Sequence, residues 1–96
     1  MPTKTRPFDP ATYLDSEEAI TAYLSDALDS NDPGFIANAL GVVARAHGMT
    51  QVAREAGLSR ESLYRTLGQD GNPELSTLLR VLGVLGLRLS VRPAAG

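Results

Sequence analysis

The stretch whose reading decides the fold is MTQVAREAGLSRESLYRTL, residues 49–67. Thr50 is a good N-cap for a short helix over 51–56, since its hydroxyl can accept a backbone N–H of the first turn, and Gly57 breaks that helix. Ser59 caps again, so a second helix runs from Arg60 to about Leu67, where the turn formers GQDGN (68–72) stop it. Two short helices joined by a tight, glycine-containing turn make a helix-turn-helix, and the second helix of that arrangement lies in the major groove of DNA. Ala53 stands where the two helices approach most tightly, with Val52, Leu58 and Leu63 beneath them as shared core. A larger residue at 53 would push the helices apart.

On the amino-terminal side, Pro2, Pro7 and Pro10 predict an extended arm over residues 1–14, which Phe8, Tyr13 and Leu14 can pin to the body. Asp15 with Glu18 has capping-box spacing, and Glu17 and Glu18 favour the positive end of a helix dipole. A first helix therefore starts there, buries Ile20, Tyr23, Leu24, Ala27 and Leu28, and stops near Ser30 and Asn31. Asp32 followed by Pro33 opens a second helix with Ile36, Ala39, Leu40 and Val43 on its stripe, broadened by Phe35 and Val42, and Gly48 ends it. Beyond residue 67, Asn72 and Pro73 start a fifth helix, a core helix with Leu75, Leu78, Leu79 and Leu82 on one face and Gly86 at its close.

After Gly86 the period changes. Leu87, Leu89 and Val91 alternate with Arg88, Ser90 and Arg92, which predicts a short β-strand over 87–92 before a tail at 93–96. The chain offers that strand no partner, and an unpaired edge invites a second copy, so a homodimer through 87–92 is expected. The alternative is an extended tail lying on its own domain. The expected fold is all-α, a five-helix domain over 15–92 with an amino-terminal arm and a carboxy-terminal strand.

Composition bounds the function. A chain of 96 residues with 43% hydrophobic and 21% charged residues suits one soluble globular domain. There is no cysteine, so a disulfide scaffold, a thiolate zinc site and a cysteine nucleophile are excluded together. Lys4 and Arg6 are followed by no apolar run, and no stretch approaches the ~20 apolar residues of a membrane span, so a cytoplasmic protein is expected. The net charge of -2 argues mildly against a nucleic-acid partner. That objection weakens when the chain is divided. Residues 1–44 hold two bases against seven acids, and residues 45–96 hold seven arginines against four acids. Such asymmetry points to two different partners.

An enzyme lacks its parts. His47 is the one histidine and sits at a helix end, Glu17 and Glu18 point in two directions from a helix, and GQDGNP has no phosphate-loop lysine. Neither catalysis nor a metal or cofactor is expected. The DNA-facing residues follow instead from the second helix of 49–67, whose first turn presents Ser59, Arg60, Glu61 and Ser62 to base edges. Arg60 can pair bidentately with guanine, Glu61 can accept from cytosine, and Tyr64 can pack on a thymine methyl or a phosphate. Thr50 and Gln51 suit a backbone phosphate, as do Arg54 and Arg65.

The pattern TQxxA, then GLS, then a polar helix with Leu63 resembles the Cro/repressor-type helix-turn-helix proteins. Thr66 stands where that pattern has an aliphatic residue, so Leu67 is expected to supply the contact. Over nearly the whole chain, YLDSEEAITAYLSDAL, ALGVVARAHGMTQVAREAGLSRESLYRTL and GNPELSTLLRVLGVLGLRLSV are similar to the addiction-module antidote (antitoxin) family. That resemblance implies an antitoxin that neutralises a RelE/HigB-like ribonuclease toxin and represses its own promoter by binding double-stranded operator DNA. An RNA-binding toxin should be basic, and Asp15, Glu17, Glu18, Asp26 and Asp29 of the first helix would complement it. Two other readings remain: a stand-alone Cro/repressor-like regulator, and a protein-interaction module that has kept the fold and lost DNA binding.

Overall fold

The computed structural model describes residue 14 and residues 16–94. Five helices follow one another: α1 (Glu17–Asp29), α2 (Pro33–His47), α3 (Met49–Ala56), α4 (Arg60–Thr66) and α5 (Leu75–Val84). The fold is all-α, and the described residues contain no strand. α2 packs on α1 and on α3, while α3 also contacts α4 and α5. The largest side chains fully shut off from solvent are Leu40, Val43, Val52, Leu63, Leu67 and Val81, drawn from α2, α3, α4 with its carboxy-terminal cap, and α5.

The caps explain where the helices begin, and correct two expectations. Ser16 caps α1, its Oγ accepting the Ala19 N–H at 3.1 Å. That is the position next to Asp15, which with residues 1–13 of the expected arm lies outside the described residues. Leu14, the arm's last residue, is buried with the core. Asp32 caps α2 as expected, its carboxylate accepting from the N–H groups of Gly34 and Phe35. Thr50, by contrast, caps nothing. Gly48, at φ 121°, donates its N–H to the Ala44 carbonyl to close α2 and accepts the Val52 N–H to open α3. One residue makes the whole corner, so α3 starts earlier than the sequence predicts, and Thr50 sits exposed in its first turn.

The expected stripe of α2 faces inward, with Ala39, Leu40 and Val43 buried and Ile36 packed against them, but Phe35 does not broaden it and the stripe of α5 is rotated. Phe35 is 53% exposed, and on α5 Leu75 and Leu79 are 64% and 48% exposed. The face of α5 that packs inward carries Leu78, Val81 and Leu82, and the helix starts after Glu74 rather than at Asn72 or Pro73.

α2 touches the end of α4 through a lane of small residues. A Cβ at Gly41 would run into the Leu67 carbonyl oxygen, and one at Gly34 would come within 2.8 Å of the Gln69 carbonyl oxygen. Gly34, Ala37 and Gly41 share a helical face, and Ala37 is fully buried. The backbone of residues 67–69 lies along this lane, closer than any side chain but hydrogen at Gly41 allows.

The segment 87–92 is not a strand. Gly86, at φ 77°, ends α5 in a Schellman arrangement, with the Leu87 N–H on the Leu82 carbonyl at 2.8 Å and the Gly86 N–H on that of Gly83. The chain is thereby turned back onto its own helices. Leu87 packs against the core, and Leu89 closes an apolar cleft lined by Leu24, Leu28, Ile36, Leu40, Leu78 and Leu82. Arg92 reaches Asp29 at 2.9 Å. Both partners are more than 60% exposed, and such pairs are worth only about 0–1 kcal/mol, so the two leucines hold the segment down. Within one chain its alternation fits the expected alternative of an extended tail lying on its own domain, with Leu87 half-buried and Leu89 38% exposed.

Substituting Gly41 of α2 and Gly83 of α5 separates close approach from helix propensity. Gly41→Ala is expected to cost about 1–3 kcal/mol, a fall of roughly 5–20 °C in melting temperature for a domain of this size. Gly83→Ala, where an added Cβ meets nothing within 4 Å, is expected to stabilise by about 0.4–1 kcal/mol. Thermal melts followed by circular dichroism read both, and a neutral Gly41→Ala would contradict the close approach.

Candidate nucleic-acid interface

α3 and α4 present their polar residues outward because their apolar ones are fully used within. Val52 and Leu63 are 0% exposed and Ala53 is 3% exposed, so the faces bearing Thr50, Gln51, Arg60, Glu61, Tyr64 and Arg65 are left to solvent. The turn between the helices is fixed by the same device that ends α5. Gly57 is left-handed at φ 74°, the Leu58 N–H donates to the Ala53 carbonyl at 2.8 Å, and the Gly57 N–H donates to that of Arg54. Ser59 then caps α4, its Oγ accepting the Ser62 N–H at 3.0 Å.

Ser62 is half-buried and its carbonyl accepts the Thr66 hydroxyl at 3.0 Å, so this turn of α4 is tied back on itself. Leu67 is 1% exposed and takes the buried place next to the half-buried Thr66. Two pairs organise the outer surface. Gln51 donates to Glu55 at 3.0 Å along α3. On α4 the Arg60 guanidinium donates to the Tyr64 hydroxyl at 3.2 Å and stands over its ring, 5.5 Å from the centroid. An exposed cation–π contact of this kind contributes about 0.5–1 kcal/mol, enough to favour one arrangement of a long side chain without locking it. The structure therefore brings Arg60, Glu61, Tyr64 and Arg65 onto one short helix capped by Ser59, with Thr50 and Gln51 in the first turn of the helix before it.

The acids of α1 form a separate surface. Glu17, Glu18, Asp26 and Asp29 are all exposed, and at about 100° per residue Glu18, Asp26 and Asp29 lie within about 80° of one another while Glu17 lies on the far side, about 180° from Asp26. Asp29 is already engaged by Arg92. On the inner side of α1, burial pushes the Tyr23 phenol above its usual range, an effect partly offset by the Arg45 guanidinium. No helix among the described residues is long and apolar enough to cross a membrane.

With this geometry in hand, the comparison with known families is decisive on one point. The family model described as "Probable addiction module antidote protein" matches residues 4–93. The chain belongs to this antidote family. It is also 42% identical over 92 residues to an uncharacterized protein of Haemophilus influenzae, a match that covers 96% of this chain and 95% of that one. No solved structure matches. An antidote of an addiction module has a toxin as its counterpart, so a protein partner belongs to the description of this chain.

The sequence did not mark out the lane that positions α4 on this antidote protein. Its signal was present in the small residues Gly34, Ala37 and Gly41 at helical spacing, of which the two glycines are weak helix formers whose use shows only when the backbone of residues 67–69 is seen against them. The pairing of Arg60 with Tyr64 was likewise legible as an i, i+4 spacing. Because Ser59 alone supplies the side-chain cap of α4, Ser59→Ala is expected to lower stability by about 1 kcal/mol. A urea midpoint that falls at constant m-value would confirm this, and an unchanged midpoint would mean the cap is dispensable.

Proposed function

We propose that this antidote protein is the antitoxin of a type II toxin–antitoxin module that neutralises a RelE/HigB-like ribonuclease toxin and binds its own promoter as a repressor. In this reading α3 and α4 act as a Cro/repressor-like helix-turn-helix. The observation that carries the DNA half is the exposed amino-terminal turn of α4, with Ser59, Arg60 and Glu61 in solvent on a helix whose underside is closed by Leu63. Ser59, Arg60, Glu61 and Ser62 face base edges, while Arg65 and the first-turn N–H groups of α3 at Thr50 and Gln51 meet phosphates. Reading a two-fold operator takes two copies, and the exposed Leu75, Leu79 and Val91 are apolar side chains available to join them.

The toxin half rests on the family and on charge. The four acids of α1 that the structure describes suit a basic, RNA-binding surface, and they lie on a different helix from the DNA-facing residues. Family membership favours an antitoxin over a stand-alone regulator.

Because Leu24 and Ala27 of α1 belong to the core, deleting that helix would test folding rather than binding, and substitutions are the better probe. Arg60→Ala with Arg65→Ala is expected to abolish specific retardation of the upstream DNA in a gel shift while toxin co-purification is unchanged. Glu17→Lys, Glu18→Lys and Asp26→Lys together are expected to weaken toxin binding at least ~10-fold and spare DNA binding, since like charges across an interface cost several kcal/mol. Loss of both activities in either variant would contradict two separate surfaces.

A further inference from the structure

We propose that Tyr64 is a positioning residue that holds Arg60 ready for a guanine, and does not itself read the DNA. This inference rests on the DNA-binding reading above and goes beyond it by assigning how the specific contact is prepared. Side chains on a helix lean toward its amino terminus, so the Tyr64 ring covers the turn that carries Arg60. The geometry agrees: the guanidinium lies over the ring at 5.5 Å from the centroid and donates one N–H to the phenolic oxygen at 3.2 Å.

Three features make this arrangement suited to base recognition. First, the contact leaves the charge intact. Among the described residues, the arginines with a side-chain partner are Arg60 and Arg92, and Arg92 is held by the carboxylate of Asp29. Tyr64 instead offers a neutral hydroxyl and a neutral ring, so Arg60 is oriented without being neutralised. Second, guanidinium carries five N–H donors, and one donated to Tyr64 leaves a full edge for the bidentate contact with guanine O6 and N7. Third, Arg60 is the first residue of α4, where a recognition helix meets base edges, whereas Tyr64 stands one turn further along.

An arginine held in its competent arrangement binds more tightly by the fraction of time it would otherwise spend elsewhere. An exposed cation–π contact corresponds to a bias of about two- to five-fold, which sets the size of the expected effect. The other possibility for Tyr64, direct contact with a thymine methyl or a phosphate, makes a different prediction in a double-mutant cycle.

The test selects a randomised duplex pool with the full chain, then measures competition binding of the preferred duplex, the same duplex with one guanine replaced, and an unrelated duplex. Tyr64→Ala is expected to lower the preference for that guanine about two- to five-fold and leave binding to the unrelated duplex unchanged, with Tyr64→Phe retaining part of the preference because it keeps the ring. Arg60→Ala is expected to remove the preference, and adding Tyr64→Ala to it should change nothing further. A loss from Tyr64→Ala that persists in the Arg60→Ala background would mean that Tyr64 touches DNA directly, and would overturn the proposal. So would an unchanged or strengthened guanine preference in Tyr64→Ala. If the unaltered protein selects no sequence at all, the DNA-binding reading fails and this inference with it. Tyr64 is 44% exposed, and unchanged circular dichroism in the variants separates these outcomes from misfolding.

Discussion

The position of α4 depends on the absence of a side chain at Gly41. α2 packs between α1 and α3, and at Gly41 it lies against the carbonyl of Leu67, the residue that caps the carboxy end of α4. Both ends of α4 are therefore fixed, one by the Ser59 cap and the left-handed Gly57 turn, the other by backbone pressed into a lane of small residues. Between them Leu63 is wholly buried. A helix of 7 residues has little stability of its own, and here tertiary contacts supply it. The same contacts dictate which side of α4 faces solvent.

That constraint organises the rest. With α4 held by its underside and its ends, its polar residues are free to serve a partner, and α1, which packs on α2, carries its acids on a separate helix. The charge division along the chain thus becomes two surfaces on one small body. Membership of the antidote family gives this division meaning: a toxin is the counterpart of an antidote, and operator DNA is the partner proposed for the other surface.

Much of this was legible in the sequence. The number and order of the helices, the caps at Asp32 and Ser59, the turn at Gly57 and the buried residues Val52, Ala53 and Leu63 all follow from local chemistry that tertiary packing reinforces. Where the reading went astray, a longer-range cause was at work. Thr50 lost its capping role because Gly48 closes one helix and opens the next. Leu75 and Leu79 are outward because the leucine-rich α5 offers two overlapping stripes, and only the packing of α5 on α3 chooses between them. The alternation over 87–92 is real, but Gly86 turns it back on the protein's own helices, with Leu89 at the rim of the cleft, 38% exposed, and Val91 98% exposed. The lane at Gly34, Ala37 and Gly41 is invisible until the chain it faces is known.

The central claim is that the outward face of α3 and α4 is the surface for DNA and that α1 is not. It is tested most directly by titrating the uniformly ¹⁵N-labelled protein with duplex from upstream of its own coding sequence and following each amide by NMR. The account predicts that amides at 50–51 and 59–65 shift or broaden while those of α1 stay in place, and that an unrelated duplex of equal length produces weaker changes. Shifts centred on α1 or α5 with α4 unperturbed, or no shifts at all, would contradict it.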